Sequence, residues 1–318
     1  MEDVTDLVFR RLLRRWSARW GGDGPAVMFT EFVRVDAPLR ALDLAAKQRP
    51  IPPRLEREAA EAPLVCQLWG TRPQEFERAA QVVAQLGFDA IDLNMGCPAA
   101  KIRKKGACSQ LIAQPQTAAA IIAACRAGSD LPLSVKTRVG LDRVITEQWC
   151  GFLLEQQLDA LILHGRTADQ MSEGDADWTQ VASAAQLRDA IAPQTIVVGN
   201  GDVVGPTDAR ERIAECGADG AMVGRGVFAD PLLFARWSNP EVPHFSDLGP
   251  MRRLRYLAEH IAEYDRTWGT RRSYEVLKKF FKNYVYGVPD SQALLDRLYT
   301  THDATAALQL IDRVAAAA

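Results

Sequence analysis

Short apolar runs that close on a polar residue or a glycine recur along most of the chain, and each is followed by a stretch with helical spacing. The runs are Ala26–Phe32, Leu64–Leu68, Ala90–Asn94, Leu133–Arg138, Ala160–His164, Thr195–Asn200 and Gly220–Gly224. Because polar residues do not alternate within them, they suit strands buried on both faces of a parallel sheet. The intervening segments repeat every three to four residues; Phe76, Ala79, Ala80, Val83 and Leu86 make one such stripe. Strands alternating with helices imply βαβ units, and this number of them predicts an α/β fold of the (β/α)8 TIM-barrel type. Seven runs are visible where a closed barrel has eight strands. The chain opens instead on a helix-like segment, Thr5 to Trp16, with Asp3 or Thr5 as its N-cap. The expectation is a barrel whose first strand is missing from this chain; an open doubly wound sheet is the alternative.

Beyond Pro231 the strand pattern stops. Leu254, Leu257, Ala258, Ile261 and Tyr264 keep helical spacing, as do Leu277, Phe280, Phe281 and Tyr284. Gly269 and the Gly287–Pro289 stretch look like helix ends. Two domains are therefore expected, a barrel over residues 1–238 and a small helical bundle over 245–318, with Asn239–Pro250 as a linker.

Composition narrows the class. Of 318 residues, 47% are hydrophobic and 25% charged, enough apolar material for a large core. No run approaches the roughly 20 apolar residues that span a bilayer. The acidic start, Met1 to Asp6, lacks the basic-then-apolar pattern of a signal peptide, so no membrane association and a cytoplasmic location are expected. Cys66, Cys97, Cys108, Cys125, Cys150 and Cys216 form no C-x-x-C pair and no zinc-like cluster, so no metal is expected. A net charge of −2 gives no global sign of nucleic-acid binding, and any RNA contact must use a local basic patch.

In such barrels the chemistry gathers at the carboxyl ends of the strands. Here those ends carry Gln67, Asn94, Lys136, Arg138, His164, Asn200 and Gly224. The last two runs close on glycine-rich turns, Gly199-Asn200-Gly201-Asp202 and Gly224-Arg225-Gly226. Backbone N–H groups at such turns approach an anion closely, and Arg225 would add a charge-assisted contact, so a phosphate-bearing cofactor is expected. The most specific stretch is Asp92-Leu93-Asn94-Met95-Gly96-Cys97-Pro98-Ala99-Ala100-Lys101, after which Arg103, Lys104 and Lys105 follow without an intervening acid. A cysteine beside a proline on a loop above the strand ends is placed to meet a substrate, whereas a buried cysteine is ordinarily core filler. Cys108, in the same loop, reads as structural.

That segment resembles the catalytic loop of the tRNA-dihydrouridine synthases, N-x-G-C-P-x-x-K followed by a glycine-rich stretch. The remaining motifs agree in order. They are Val4-Thr5-Asp6, Thr30-Glu31-Phe32, Gln67-Leu68, Val135-Lys136-Thr137-Arg138, His164-Gly165-Arg166-Thr167, Asn200-Gly201-Asp202 and Gly224-Arg225-Gly226. The resemblance spans residues 1 to about 235. It implies FMN as cofactor, reduced by NADPH, and reduction of a D-loop uridine in tRNA to 5,6-dihydrouridine. Gln67, Lys136 and His164 match positions that hold the flavin ring, and Asn200, Gly201, Asp202, Gly224 and Arg225 match the phosphate positions. Met1 falls where the family has the methionine that ends its first strand. Cys97 becomes the general acid, since a thiol with pKa about 8.5 is neutral near pH 7 yet able to give up its proton. Asn94, Lys101, Arg138 and Arg166 become candidates to hold the uracil and its neighbouring phosphate.

A base swung out of folded tRNA costs a few kcal/mol, which phosphate contacts elsewhere must offset. Between Met251 and Asn283 nine basic residues face four acidic ones, with Tyr274, Tyr284 and Tyr286 close by. Lys278, Lys279 and Lys282 are the candidates there, a solvated helix face being the bland alternative. The protein is expected to act as a monomer. Two other functions remain open: a small-molecule pyrimidine or dihydroorotate-type flavin reductase, which has no use for a basic tail, and an inactive tRNA-binding relative.

Overall fold

The computed structural model describes residues 1–317. They divide into two compact units, one of Met1 and Val27–Gly224, the other of Glu2–Ala26 and Arg225 onwards. The first unit is a parallel sheet interleaved with helices. Its strands are β1 (Met28–Phe29), β2 (Val33–Arg34), β3 (Leu64–Trp69), β4 (Ala90–Met95), β5 (Leu133–Arg138), β6 (Ala160–His164), β7 (Ile196–Asn200) and β8 (Gly220–Met222). From β3 to β8 each pairs in parallel with the next, while β1 and β2 both pair with β3. Six of the seven predicted runs thus appear as strands within a residue or two of their expected ends.

The Ala26–Phe32 run differs. It is split into β1 and β2, because the register against β3 loses one residue between Phe29↔Val65 and Val33↔Leu68. At the break the Thr30 hydroxyl oxygen accepts the Gln67 N–H at 3.1 Å, doing the work of a ladder carbonyl. The two pieces share one strand position, so the sheet has seven positions. Among the described residues no pairing joins β8 to β1, and the sheet keeps an open seam. Its core is aliphatic, built from Leu64, Cys66, Leu68, Ile91, Leu93, Val135, Leu161, Leu163 and Val197, all nearly inaccessible, with helices 73–85 and 115–128 packed outside.

The second unit is helical. The opening helix runs Leu7–Arg19, and its cap is Asp6 rather than Asp3 or Thr5: Asp6 Oδ1 accepts the Phe9 N–H at 2.9 Å. The other oxygen of Asp6 takes the indole N–H of Trp268 at 2.8 Å, at the end of helix Pro250–Trp268. Glu263, on that helix, accepts from both Arg11 and Arg15. Phe9, Trp16, Phe228, Tyr256, His260, Phe280 and Tyr284 pack into one aromatic cluster, partly stacked and partly edge-on. The opening helix is therefore part of the tail's bundle, an assignment that linear order alone does not suggest. The expected linker is packed as well. Val242, Phe245 and Leu248 are buried, and Asp230 Oδ1 accepts the Phe245 N–H at 3.3 Å. Apolar residues spaced along that stretch hold it against the bundle.

No helix among the described residues is long and apolar enough to cross a membrane. None of their His, Cys, Asp and Glu side chains cluster as a metal site.

Candidate active site

The parallel register brings the polar strand ends to one level. Asn94 pairs with Lys136, Arg138 with His164, and His164 with Asn200. Lys136 Nζ donates to Asn200 Oδ1 at 2.9 Å, reaching from β5 to β7 past β6. Two strands that are not neighbours share a side-chain bond only if the sheet is concave on this face. Asn200 in turn donates from Nδ2 to the Met222 carbonyl at 2.8 Å, which ties β7 to the end of β8.

Charge at this face is mostly positive. Burial pulls the Lys136 ammonium down to about 8, and Arg138 adds to the pull. His164 is held far below its ordinary value by burial first, then by Lys136, Arg138 and Arg166, so it is a neutral imidazole. A half-buried lysine whose hydrogen-bond partner is a neutral amide leaves its charge available to an anionic group. The donor set therefore fits a flavin, whose reduced form is anionic along one edge of its ring.

The turn after β7 carries two consecutive positive-φ residues, Gly201 at φ 124 and Asp202 at φ 54. A Cβ on Gly201 would lie 2.5 Å from the Ala176 methyl and 3.1 Å from the His164 ring, so only glycine fits. At Gly224 a Cβ would meet Asn200 Nδ2 at 3.9 Å, an ordinary contact. Asp202 has a defined task of its own. Its Oδ2 accepts from Arg166 at 2.6 Å and from the Ala176 N–H at 2.8 Å. Arg225 is exposed and belongs to the other compact unit, whereas Met1 is half-buried and groups with the sheet.

Asn94 organises the cysteine loop. Its Oδ1 accepts the N–H groups of Gly96 at 3.1 Å and Cys97 at 2.9 Å. Its Nδ2 donates to Gln67 Oε1 at 3.0 Å, and Gln67 Nε2 donates to Asp92 at 2.7 Å. Asp92, fully buried and absent from the sequence-based candidates, also accepts from the Ser134 hydroxyl at 2.6 Å. Among the described cysteines Cys97 alone is not buried. Cys108 is wholly buried at φ 53 and hydrogen-bonds with Cys97, which, ahead of burial, drives its own thiol pKa far up. The N–H of Ser109 also reaches the Cys97 carbonyl at 3.4 Å.

Two arginines expected to hold substrate are buried, and their hydrogen bonds run to protein acceptors. Arg138 donates to the carbonyls of Gly96, Thr167 and Met171 at 2.8, 2.8 and 2.9 Å. Arg166, besides Asp202, donates to the carbonyls of Glu173 and Gly174. Both brace the loops around Cys97 and His164. Lys101, Lys104 and Lys105 are exposed, while Arg103 pairs with Asp169 at 2.5 Å. A cavity of about 270 Å³ opens near that loop rather than over Lys136; Arg34, Trp69, Arg72 and Lys105 are among its lining residues.

Within the helical unit several of the basic side chains have protein partners. Arg253 is buried against the carbonyls of Ser246, Leu248 and Tyr286. Arg272 pairs with Asp3, and Arg266 with Glu263. Lys278 pairs with Glu275 at 2.9 Å and donates to the Tyr299 carbonyl. Lys279 and Lys282 are exposed, Lys279 lying 4.0 Å from Asp3. Asp3, the partner of Arg272, lies outside the counted stretch, whereas Glu263 and Glu275 were already in the count.

Comparison with known proteins adds a second line of evidence. A family model described as dihydrouridine synthase matches residues 1–318. A probable tRNA-dihydrouridine synthase of Staphylococcus epidermidis is 37% identical over 98% of this chain and 91% of its own. Probable tRNA-dihydrouridine synthase 2 of Bacillus subtilis is 34% identical over the same shares. Among solved structures, morphinone reductase superposes with a TM-score of 0.51 at 11% identity, covering 77% of this chain and 84% of that one, a likeness of fold.

Proposed function

Because the chain belongs to the dihydrouridine synthase family, we propose that it reduces a D-loop uridine of tRNA to 5,6-dihydrouridine with FMN as cofactor and NADPH as electron donor. The observation that carries the reading is the Cys97 loop. Among the described cysteines the one that is not buried is held by Asn94, near the end of β4, whose register partner on β5 is Lys136.

Gln67, Lys136 and His164 are the residues that would hold the flavin ring, and Asn200, Gly201 and Gly224 those near its phosphate. When bound there, the flavin supplies the hydride that C6 of the uracil takes up. C6 accepts it because the C5=C6 bond is conjugated with the C4 carbonyl. Cys97 then gives its thiol proton to C5, which completes the saturation. Asn94 and Lys101 are the remaining candidates to orient the base and its phosphate, and Arg138 and Arg166 keep the surrounding loops in place. Exposed Lys279 and Lys282, with half-buried Lys278, are the tail's candidates for RNA phosphates. The protein acts as a monomer in this reading.

Anaerobic reoxidation tests it. The flavin-loaded protein is reduced with NADPH and mixed with tRNA lacking dihydrouridine, with a size-matched unrelated RNA, or with free uridine. Fast reoxidation by the tRNA alone is expected. Reoxidation by free pyrimidines and not by tRNA would replace the reading with that of a small-molecule reductase.

A further inference from the structure

Four side chains on three neighbouring strands form one directed chain of hydrogen bonds. Ser134 on β5 donates to Asp92 on β4 at 2.6 Å, and Gln67 on β3 donates to Asp92 at 2.7 Å. Asn94 on β4 donates to Gln67 at 3.0 Å, and the Gly96 and Cys97 N–H groups donate to Asn94. Each amide has one donating and one accepting end, so which way it faces follows from its neighbours. At the loop end the neighbours are two backbone N–H groups, which only donate. At the far end the Asp92 carboxyl oxygens accept from Gln67 and from Ser134. Both ends demand the same orientation of Gln67 and of Asn94. The reverse orientation would set donor against donor at Cys97 and acceptor against acceptor at Asp92.

Asp92 is fully buried, where an ionised carboxylate is costly unless its oxygens are satisfied. Burial raises its pKa to about 7, and the hydrogen bonds from Ser134 and Gln67 work against that rise. A carboxylate kept in such a place calls for a task.

We propose that Asp92 is a positioning residue for the proton-donating loop: it fixes the direction of the Gln67–Asn94 amide relay and thereby keeps the Asn94 carbonyl on the N–H of Cys97. The proposal rests on the reading of Cys97 as proton donor, and it adds what aims that group. A carboxylate that merely knits β3, β4 and β5 together would tolerate either direction of the relay.

The test exchanges donor and acceptor character while nearly keeping volume. The variants are D92N, Q67E and D92N/Q67E, each as the flavin-loaded full chain at equal flavin content. One readout is the rate of Cys97 alkylation by iodoacetamide, located by mass spectrometry; the other is kcat and KM with tRNA. In D92N the new amide can turn its oxygen to Gln67 and its nitrogen to the Ser134 hydroxyl, and its alkylation rate is the reference against which the double variant is read. Q67E sets two carboxylates face to face. Alkylation then rises about tenfold as the loop loosens, and kcat falls about tenfold with little change in KM.

In D92N/Q67E the amide at position 92 donates to the carboxylate at position 67, which still accepts from Asn94. The relay regains its direction, and alkylation returns to within about threefold of the unsubstituted rate. A double variant no better than Q67E, or a Q67E protein that alkylates like the unsubstituted one, overturns the proposal. Should Q67E fail to fold, the double decides: alkylation like that of D92N supports the relay, and faster alkylation overturns it. Failure of the proton-donor reading would show separately, as full turnover by C97A with the alkylation pattern of the other variants intact.

Discussion

The ammonium of Lys136 gives its hydrogen bond to the side-chain carbonyl of Asn200, 2.9 Å away across the concave face of the sheet. An amide relieves little of the cost of burying that charge, and burial accordingly draws the lysine down to about 8. Between about pH 8 and its ordinary value of 10.5 the folded protein then holds fewer protons than the unfolded chain. Stability contributed by this group therefore rises with pH across that window, and the penalty is fully present below it. Thermal unfolding of the flavin-free protein from pH 7.5 to 10.5, compared with K136M, should show a rise that the variant lacks. K136M should also lose flavin affinity.

Gly201→Ala should weaken flavin binding and lower stability. Its positive φ and the 2.5 Å approach to Ala176 leave no room for a methyl group. Overpacking of this kind costs about 1–3 kcal/mol. Urea unfolding and fluorescence titration with FMN would measure the two effects.

Asp202→Asn should destabilise by about 1–3 kcal/mol, since it removes the charge opposite the buried Arg166 guanidinium. The carbonyls of Glu173 and Gly174 remain as acceptors and keep the loss moderate. Denaturant midpoints of D202N, R166M and the double variant would show strong coupling; additive effects would rule out the pairing as the source.

Cys97→Ala should keep flavin bound and reducible by NADPH while slowing tRNA-dependent reoxidation about 10²–10⁴-fold. Stopped-flow absorbance separates the two half-reactions. Loss of the reductive half-reaction as well would point to a damaged flavin site.

Reversing charge at Lys101, Lys104 and Lys105 should raise the KM for tRNA and flatten its dependence on salt. These three side chains are exposed on the loop that carries Cys97. A KM unchanged between low and physiological salt would remove the loop from the RNA-binding surface.

Much of the fold could be read along the chain, because unbroken apolar runs alternating with three-to-four-residue spacing admit few arrangements other than a parallel sheet with helices outside it. The polar strand ends from Gln67 to Asn200 were legible for the same reason: each is the polar residue on which an apolar run closes. Tertiary structure decided the rest. Only the register between β1 and β3 reveals the bulge at Thr30, and only folding brings the opening helix, through Asp6 and Trp268, into the bundle of the tail. Part of the tail's basic excess meets an acid remote in sequence, Arg272 pairing with Asp3, which a count over the tail does not include. Arg138 and Arg166 stand among motif residues that suggest contact with substrate, yet their protons go to backbone carbonyls and to Asp202. Asp92 stands at the head of the most specific stretch, yet nothing in the linear order assigns it a role. Its role depends on which partners face its two oxygens, and a hydrogen bond's direction is a property of neighbours in space, not of order along the chain.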